Sequence, residues 1–138
     1  MKPILLDTSV IVALFDSTDA NHFLCDQATE GLIQPFATCE AVITEACYLL
    51  RKYPVALEAI LANIEDGIFH IPFRLERSAG AIRTIQRKYA DLPADFADAC
   101  LVHMADELDT GDILTLDSDF KHYRWRRNKP FRLLIPLK

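Results

Sequence analysis

Ile4-Leu5-Leu6-Asp7-Thr8-Ser9-Val10 decides the fold, because a run of three apolar residues ends there at a carboxylate. A short apolar run of this kind is typical of a strand that is buried on both faces. Thr8 or Ser9 is suited to cap a short helix that continues to Phe15. The stretch therefore predicts a strand, a turn that carries an acid, and a helix.

The same alternation of strands and helices continues along the rest of the chain. The spacing of apolar residues predicts further helices over 20–29, 42–50, 54–65, 75–89 and 93–108, and further strands over 36–38, 68–71, 113–116 and 132–135. Pro54 and Pro93 suit the first turns of their helices. Strands separated by helices need crossover connections, so we expect an α/β fold with a mainly parallel sheet and helices on both faces.

Length and composition indicate a globular protein. The 138 residues suit one compact domain, and 51% of them are apolar. No apolar run approaches the roughly 20 residues that span a bilayer, and the first residues do not form a signal peptide. We therefore expect one domain over residues 1–138, in the cytoplasm and without a membrane partner. The four cysteines form no Cys-x-x-Cys pair and are expected to be reduced packing residues.

The net charge of −5 limits the classes of function. An acidic chain is a poor general binder of nucleic acid, because Lys and Arg make most phosphate contacts. A nuclease is not excluded, because acids that hold a divalent cation contribute negative charge that the bound metal cancels. A nucleotide-binding protein is disfavoured, since only four glycines are present and none forms a glycine-rich loop.

Several acids stand at positions where a structural role is hard to supply. Asp7 and Asp117 follow apolar strands, Glu45 lies inside an apolar stretch of helix, and Asp98 is flanked by alanines. Each has an ordinary interpretation when it is taken alone: Asp7 as a helix cap, Glu45 as a helix flank, Asp117 as a turn residue. In open α/β sheets, however, ligands bind beyond the carboxyl ends of the strands, where Asp7 and Asp117 are expected.

Taken together, these acids favour a metal site. Clustered buried carboxylates raise one another's pKa and are unfavourable without a counter-charge. No Lys or Arg adjoins Asp7, Glu45 or Asp98 in the sequence. Because hard oxygen ligands suit Mg²⁺ or Mn²⁺, we expect the carboxylates of Asp7, Glu45, Asp98 and Asp117 to converge on such a cation in one pocket.

Four short motifs occur in order along the chain: Leu6-Asp7-Thr8-Ser9-Val10, Thr44-Glu45-Ala46, Ala97-Asp98-Ala99 and Thr115-Leu116-Asp117-Ser118-Asp119-Phe120. They resemble the motifs of the PIN-domain family, in particular those of VapC-type toxins of toxin–antitoxin pairs. The resemblance covers essentially the whole chain. It implies a three-layer α/β/α domain, a Mg²⁺- or Mn²⁺-dependent endoribonuclease, RNA as the substrate and a cognate antitoxin as the protein partner. The oligomeric state, a homodimer included, stays open.

The resemblance also implies roles for individual residues. Its catalytic acids fall on Asp7, Glu45, Asp98 and Asp117, and three of these, Asp7, Asp98 and Asp117, would ligate the metal. The supporting positions are Thr8, Ser9, Asp119 and, by its place one turn before Asp98, Asp95, although the helix dipole is the better explanation for that acid. A cation held there would lower the pKa of a water and polarise a phosphate oxygen, and Glu45 would orient the water.

The basic segment Lys121–Lys129 has two interpretations. Trp125 or Tyr123 could stack on a base while Arg124, Arg126 and Arg127 contact phosphates. The alternative is a solvated loop that Trp125 anchors to the core.

Rivals to the nuclease are an inactive PIN-like module that binds RNA or protein, and a Mg²⁺-dependent phosphatase with Asp7 as nucleophile. The phosphatase pattern has a second Asp two residues further on, where this chain has Ser9.

Overall fold

The central sheet contains five parallel strands. A computed structural model of the protein describes residues 1–137. Within them the strands are β1 (Ile4–Leu6), β2 (Phe36–Ala37), β3 (Phe69–His70), β4 (Asp112–Leu114), β5 (Arg124–Trp125), β6 (Lys129–Pro130) and β7 (Arg132–Leu133). The sheet has the order β3-β2-β1-β4-β7, and every pairing in it is parallel. The strand from the deciding stretch, β1, therefore lies at the centre.

Six helices in the described residues flank this sheet. They are α1 (Thr8–Phe15), α2 (His22–Thr29), α3 (Glu40–Leu49), α4 (Pro54–Glu65), α5 (Leu75–Lys88) and α6 (Phe96–Leu108). The arrangement is the three-layer α/β/α fold, so the prediction of fold class is confirmed. Within residues 1–137, each helix is too short or too polar to cross a membrane.

Burial of β1 and α6 positions the acids. All three residues of β1 are at most 1% exposed, which fits its central place in the sheet. Helix α6 is buried over most of its length, and Ala99 to Val102 form an unbroken buried run. A helix that is apolar on all sides packs in the interior. Asp98, in the first turn of this helix, is therefore carried into the core, where it is 7% exposed.

The starts of α2 and α3 lie two residues from the predicted ones, at His22 and Glu40, and the caps of α1 and α6 differ from the sequence-based predictions. Helix α1 is capped by Asp7, not by Thr8 or Ser9, because Asp7 is the last residue with extended backbone and its carboxylate accepts from the Thr8 N–H. Helix α6 begins at Phe96, not at Pro93, because Asp95 provides the cap by accepting from the Asp98 N–H. In both cases an acid of the candidate site caps the N-terminus of a helix.

The segment before the last strand is ordered structure and not a simple loop. A short 3-10 helix covers Ser118–Lys121, and β5 and β6 then form an antiparallel hairpin. The Trp125 indole N–H donates to the Pro130 carbonyl at 3.2 Å, and the ring packs where a Cβ on Gly111 would lie. The tip places Arg126 and Arg127 at positive φ, 43° and 71°. This tertiary packing of Trp125 holds the hairpin against the body of the fold.

Candidate metal and active site

A small pocket opens where β1 and β4 end. Its volume is about 160 Å³, and it is lined by Asp7, Thr8, Ser9, Glu45, Leu49, Asp95, Asp98 and Asp117. The two strand ends are joined by the Asp7 N–H, which donates to the Leu114 carbonyl at 3.0 Å. The four acids that the sequence singled out thus surround one pocket, as expected; their roles as ligands and catalysts remain predictions.

Asp7 is buried and has hydrogen bonds to both carboxylate oxygens. Oδ1 accepts from the Thr8 N–H at 2.8 Å, and Oδ2 accepts from the Thr115 hydroxyl at 2.6 Å. Burial, with smaller contributions from the charges of Asp117 and Asp95, raises the pKa of Asp7 to about 6, although the two hydrogen bonds act in the opposite direction. The metal-free pocket therefore disfavours charge at this position.

Asp98 is held from two sides. Its N–H donates to Asp95 Oδ1 at 2.8 Å, and its Oδ2 accepts from the Tyr123 hydroxyl at 3.2 Å. Burial, followed by the charges of Asp95, Asp7 and Asp117, raises the pKa of Asp98 to about 8. Without a counter-ion the carboxyl is thus largely protonated at neutral pH. Such a shift inside a cleft is typical of a functional site.

Asp117 and Asp119 complete the acidic cluster at the end of β4. Asp117 Oδ1 accepts from the Asp119 N–H at 2.9 Å, and the Asp117 N–H donates to Thr115 Oγ1 at 3.0 Å. One carboxylate oxygen from each of Asp98, Asp117 and Asp119 lies within 4.8 Å of the other two. Two oxygens that each lie about 2.0–2.6 Å from one ion can be up to about twice that distance apart. The spacing in this cluster is therefore compatible with a shared cation.

The donor set fits a hard divalent cation. All the donors are carboxylate oxygens, which suit Mg²⁺ or Mn²⁺ better than softer metals. The close trio differs from the one implied by the resemblance, because Asp119, expected as a supporting residue, replaces Asp7. Asp7 borders the same pocket, and its two oxygens keep further lone pairs beside their hydrogen bonds.

Glu45, Thr8 and Ser9 form the other wall of the pocket. Glu45 lies on α3 with an exposed side chain, and its Oε2 accepts from the Thr8 hydroxyl at 3.4 Å. Ser9 Oγ accepts from the Leu116 N–H at 3.0 Å. Thr8 therefore contacts Glu45 through its hydroxyl and Asp7 through its backbone N–H, while Ser9 ties the start of α1 to the turn after β4.

Sequence reasoning did not identify two residues, Thr115 and Tyr123, as partners of the acids. Thr115 is fully buried and links Asp7 to the Asp117 backbone through one hydroxyl. The Thr-Leu-Asp motif around it was the signal that could have identified it. Tyr123 is fully buried and bonds to Asp98 across 25 residues of sequence, so no local pattern indicates the contact.

The structure decides between the two interpretations of the aromatic residues in the basic segment. Tyr123 is 0% and Trp125 9% exposed, so neither ring offers a face for stacking on a base; Trp125 anchors the segment instead. Arg124 donates to the carbonyls of Lys121 and Tyr123. The two rings are therefore unavailable for stacking on a base, while a contact of Arg124 with phosphate stays a prediction.

Arg126 and its neighbour Arg127 lie at the far end of α6. Arg126 pairs with Asp109 at 3.0 Å, and its N–H donates to Asp106 Oδ1. Asp106 is eight residues beyond Asp98, which corresponds to about 12 Å along a helix. The structure therefore does not bring these arginines to the acids.

Comparisons with known proteins agree with this architecture. A model of the PIN domain matches residues 4–126, which include all the acids described above. Ribonuclease VapC26 of Mycobacterium tuberculosis is 28% identical over 115 residues, which cover 82% of this chain and 85% of that protein. On the evidence of the match to residues 4–126 and the three-layer fold, the chain belongs to the PIN domain family.

Proposed function

We propose that this protein is a Mg²⁺- or Mn²⁺-dependent endoribonuclease that hydrolyses phosphodiester bonds in RNA. The observation that carries the proposal is the convergence of Asp98, Asp117 and Asp119, with oxygens within 4.8 Å of one another, in a pocket that Asp7 and Glu45 also border. Membership of the PIN domain family and the similarity to a protein named as a ribonuclease support RNA as the substrate.

Each acid has a defined task in this mechanism. Asp98, Asp117 and Asp119 would hold the cation, and Asp7 adds negative charge beside it. A cation held there would supply Lewis acidity toward a phosphate oxygen and would lower the pKa of a water. Glu45 Oε1, the oxygen that Thr8 leaves free, orients the attacking water from the pocket wall. The water would attack phosphorus in line with the leaving ribose oxygen, whose bond to phosphorus breaks and which takes up the proton that the water loses. No side chain then acts as a covalent nucleophile.

The proposal extends to the biological setting. The resemblance of the motifs to VapC-type toxins supports a role as the toxin of a type II toxin–antitoxin pair, with residues 1–138 acting as one domain. The partner is then a cognate antitoxin protein encoded by a neighbouring gene. Co-expression with the product of a short adjacent gene, followed by copurification, tests this part separately from the catalytic chemistry.

The phosphatase alternative is disfavoured by the surroundings of Asp7. An aspartyl nucleophile needs an oxygen that is free to attack phosphorus. Here Asp7 is only 5% exposed, which limits access of a phosphate group to its oxygens, and Ser9 stands where the phosphatase pattern has a second Asp. An inactive RNA- or protein-binding module stays the main alternative, and a cleavage assay distinguishes it directly.

The test is cleavage of single-stranded RNA by purified protein in Mn²⁺, with a chelator control. We expect Asp98→Asn to be at least about a hundredfold slower, comparable to losing one transition-state contact. Asp26→Asn is the matched control, because Asp26 is an exposed acid of α2 outside the pocket. Wild-type cleavage by Asp98→Asn, or cleavage that survives the chelator, would show that the metal mechanism is wrong.

A further inference from the structure

The basic residues of this acidic protein are concentrated in two segments. Ten of the fifteen Lys and Arg residues fall within 74–88 and 121–129: Arg74, Arg77, Arg83, Arg87, Lys88, Lys121, Arg124, Arg126, Arg127 and Lys129. Within these segments the sole acid is Glu76. The rest of the chain contains five basic residues and all the other acids. The net charge of −5 thus conceals a strong separation of charge.

The two segments form one continuous surface. The end of α5 contacts the β5–β6 hairpin, since Lys88 Nζ donates to the Arg127 carbonyl at 3.4 Å. One residue further on, the Tyr89 hydroxyl accepts from the Arg124 N–H at 2.8 Å. We call the exposed side of α5 together with this hairpin the basic surface.

The cations at the centre of the basic surface are exposed and lack acidic partners. Within residues 1–137, no carboxylate oxygen lies within 4.0 Å of Arg83, Arg87 or Lys88. Arg77 has only a distant partner, Glu107 at 3.9 Å. Arg83 and Arg87 are one helical turn apart, so their guanidinium groups lie on the same ridge. They are free to bind an external anion.

A groove lies between the start of α5 and the first turns of α3, the helix that also carries Glu45. Its volume is about 510 Å³, and its walls include Thr44, Arg74, Leu75 and the half-exposed ring of Phe96. Thr44 directly precedes Glu45, and Phe96 directly follows Asp95, so the groove borders the pocket. Glu40 and Glu76 also line it, which makes the groove itself a poor place for a phosphate but leaves it open to a base.

We propose that the basic surface binds the phosphates of the RNA strand that flanks the cleavage site, with the strand leaving the acidic pocket through this groove. The inference rests on the proposed function. Arg83 and Arg87 supply the charge that the pocket lacks. A membrane or an apolar protein partner fits less well, because Leu75 is the sole large apolar side chain that the described part of these two segments exposes.

The distance along α5 makes the effect depend on RNA length. Arg87 lies twelve residues beyond Leu75, about 18 Å further along the helix. A trinucleotide bound at the acids does not extend to Arg87, whereas an RNA of about 16 nucleotides, the upper end of site sizes on single-strand-binding folds, does. The two substrates therefore separate the basic surface from the catalytic pocket.

The test compares Arg83→Gln/Arg87→Gln with a control that removes the same charge elsewhere, Arg51→Gln/Lys52→Gln. The control residues are exposed and follow α3 at the end opposite Glu40. Binding of the longer RNA is measured in chelator, where nothing is cut. Loss of two single-strand phosphate contacts reduces the slope of log K against log salt by about 1.4, which is about 25-fold in affinity at 0.1 M salt.

Cleavage in Mn²⁺ provides the second readout. We expect the α5 variant to raise KM for the longer RNA and to cut the trinucleotide like wild type, while the control behaves like wild type on both. Wild-type binding and salt slope in the α5 variant, or an equal loss in the control, would overturn the inference. So would a variant that keeps RNA binding but loses binding of poly-glutamate, because the surface then serves an acidic protein. If wild type cuts neither RNA while the binding difference holds, the proposed function fails and the basic surface stands.

Discussion

Tyr123 determines how the carboxylate of Asp98 is presented to the pocket. Its ring is fully buried and makes edge contacts with Tyr89 and Phe120, each with a centroid distance of 5.0 Å. The enclosed ring holds its hydroxyl at 3.2 Å from Asp98 Oδ2. Hydrogen bonds to a ligating carboxylate orient it for the metal. Tyr123 is therefore a positioning residue for the proposed cation site.

We expect Tyr123→Phe to weaken Mn²⁺ binding by about tenfold to a hundredfold, as is typical for loss of such a hydrogen bond. The ring and its packing remain, so the melting temperature of the metal-free protein should change little. Titration calorimetry with Mn²⁺ measures the affinity without relying on RNA cleavage. Wild-type affinity in this variant would contradict a positioning role.

Tyr89→Phe is the control for that substitution. Tyr89 belongs to the same aromatic cluster, but its hydroxyl accepts from the Arg124 backbone N–H at 2.8 Å and contacts no acid. Its removal should lower stability, because a backbone donor loses its partner, and should leave Mn²⁺ affinity unchanged. An equal loss of affinity in both variants would mean that general packing, not the contact with Asp98, controls the site.

Three acids of the site lie at the N-termini of helices. Asp7 caps α1, Asp95 caps α6 and Asp117 caps the 3-10 helix. The positive end of a helix dipole stabilises a carboxylate, and each cap accepts a backbone N–H. Capping and metal binding had been alternative explanations for Asp7. The structure makes them compatible, because the caps keep the acids in place whether or not a cation is bound.

Two substitutions of Asp95 separate its role as a helix cap from the effect of its charge. We expect Asp95→Ala to lower the free energy of unfolding by about 1 kcal/mol, because the Asp98 N–H loses its acceptor. Asp95→Asn keeps an acceptor and removes a charge that raises the pKa of Asp98, so its stability should equal or exceed wild type. Urea unfolding in chelator measures both. A loss with Asn as large as that with Ala would rule out the cap as the source of stability.

The elements themselves were predictable to different degrees. The central strand and the long helices follow from apolar runs and helical spacing, which are local properties of the chain. The β5–β6 hairpin does not, because its strands have two residues each and Trp125 holds it against Gly111, fourteen residues away. The start of α6 was placed at Pro93 by a local rule, whereas Asp95 provides the hydrogen bond that begins the helix.

At the scale of the whole molecule, the buried acids link stability to pH. The pKa of Asp7 is raised to about 6 and that of Asp98 to about 8, both above their values in the unfolded chain. Raised carboxyl pKa values stabilise the fold at low pH, and this contribution is lost as pH rises from about 4 through about 8. We expect the melting temperature of the metal-free protein to fall across this window.

Divalent cation should reverse that trend. A cation binds the ionised pocket, so millimolar Mn²⁺ should raise the melting temperature more at pH 8 than at pH 5. Asp98→Asn removes the group with the higher pKa and should flatten the pH dependence in chelator. Thermal melts of both proteins at the two pH values measure this. A metal-free melting temperature that rises with pH, or one that Mn²⁺ does not change, would argue against the site.

The sequence by itself determined the α/β class, the order of the long elements and the four main acids. These depend on local patterns: apolar runs, helical spacing and acids directly after strands. Only the tertiary structure decided that Asp119 joins Asp98 and Asp117, that Thr115 and Tyr123 hold the acids, and that Trp125 is an anchor. The reason is that most of these contacts join residues far apart in the chain, and their geometry depends on how the sheet and α6 pack.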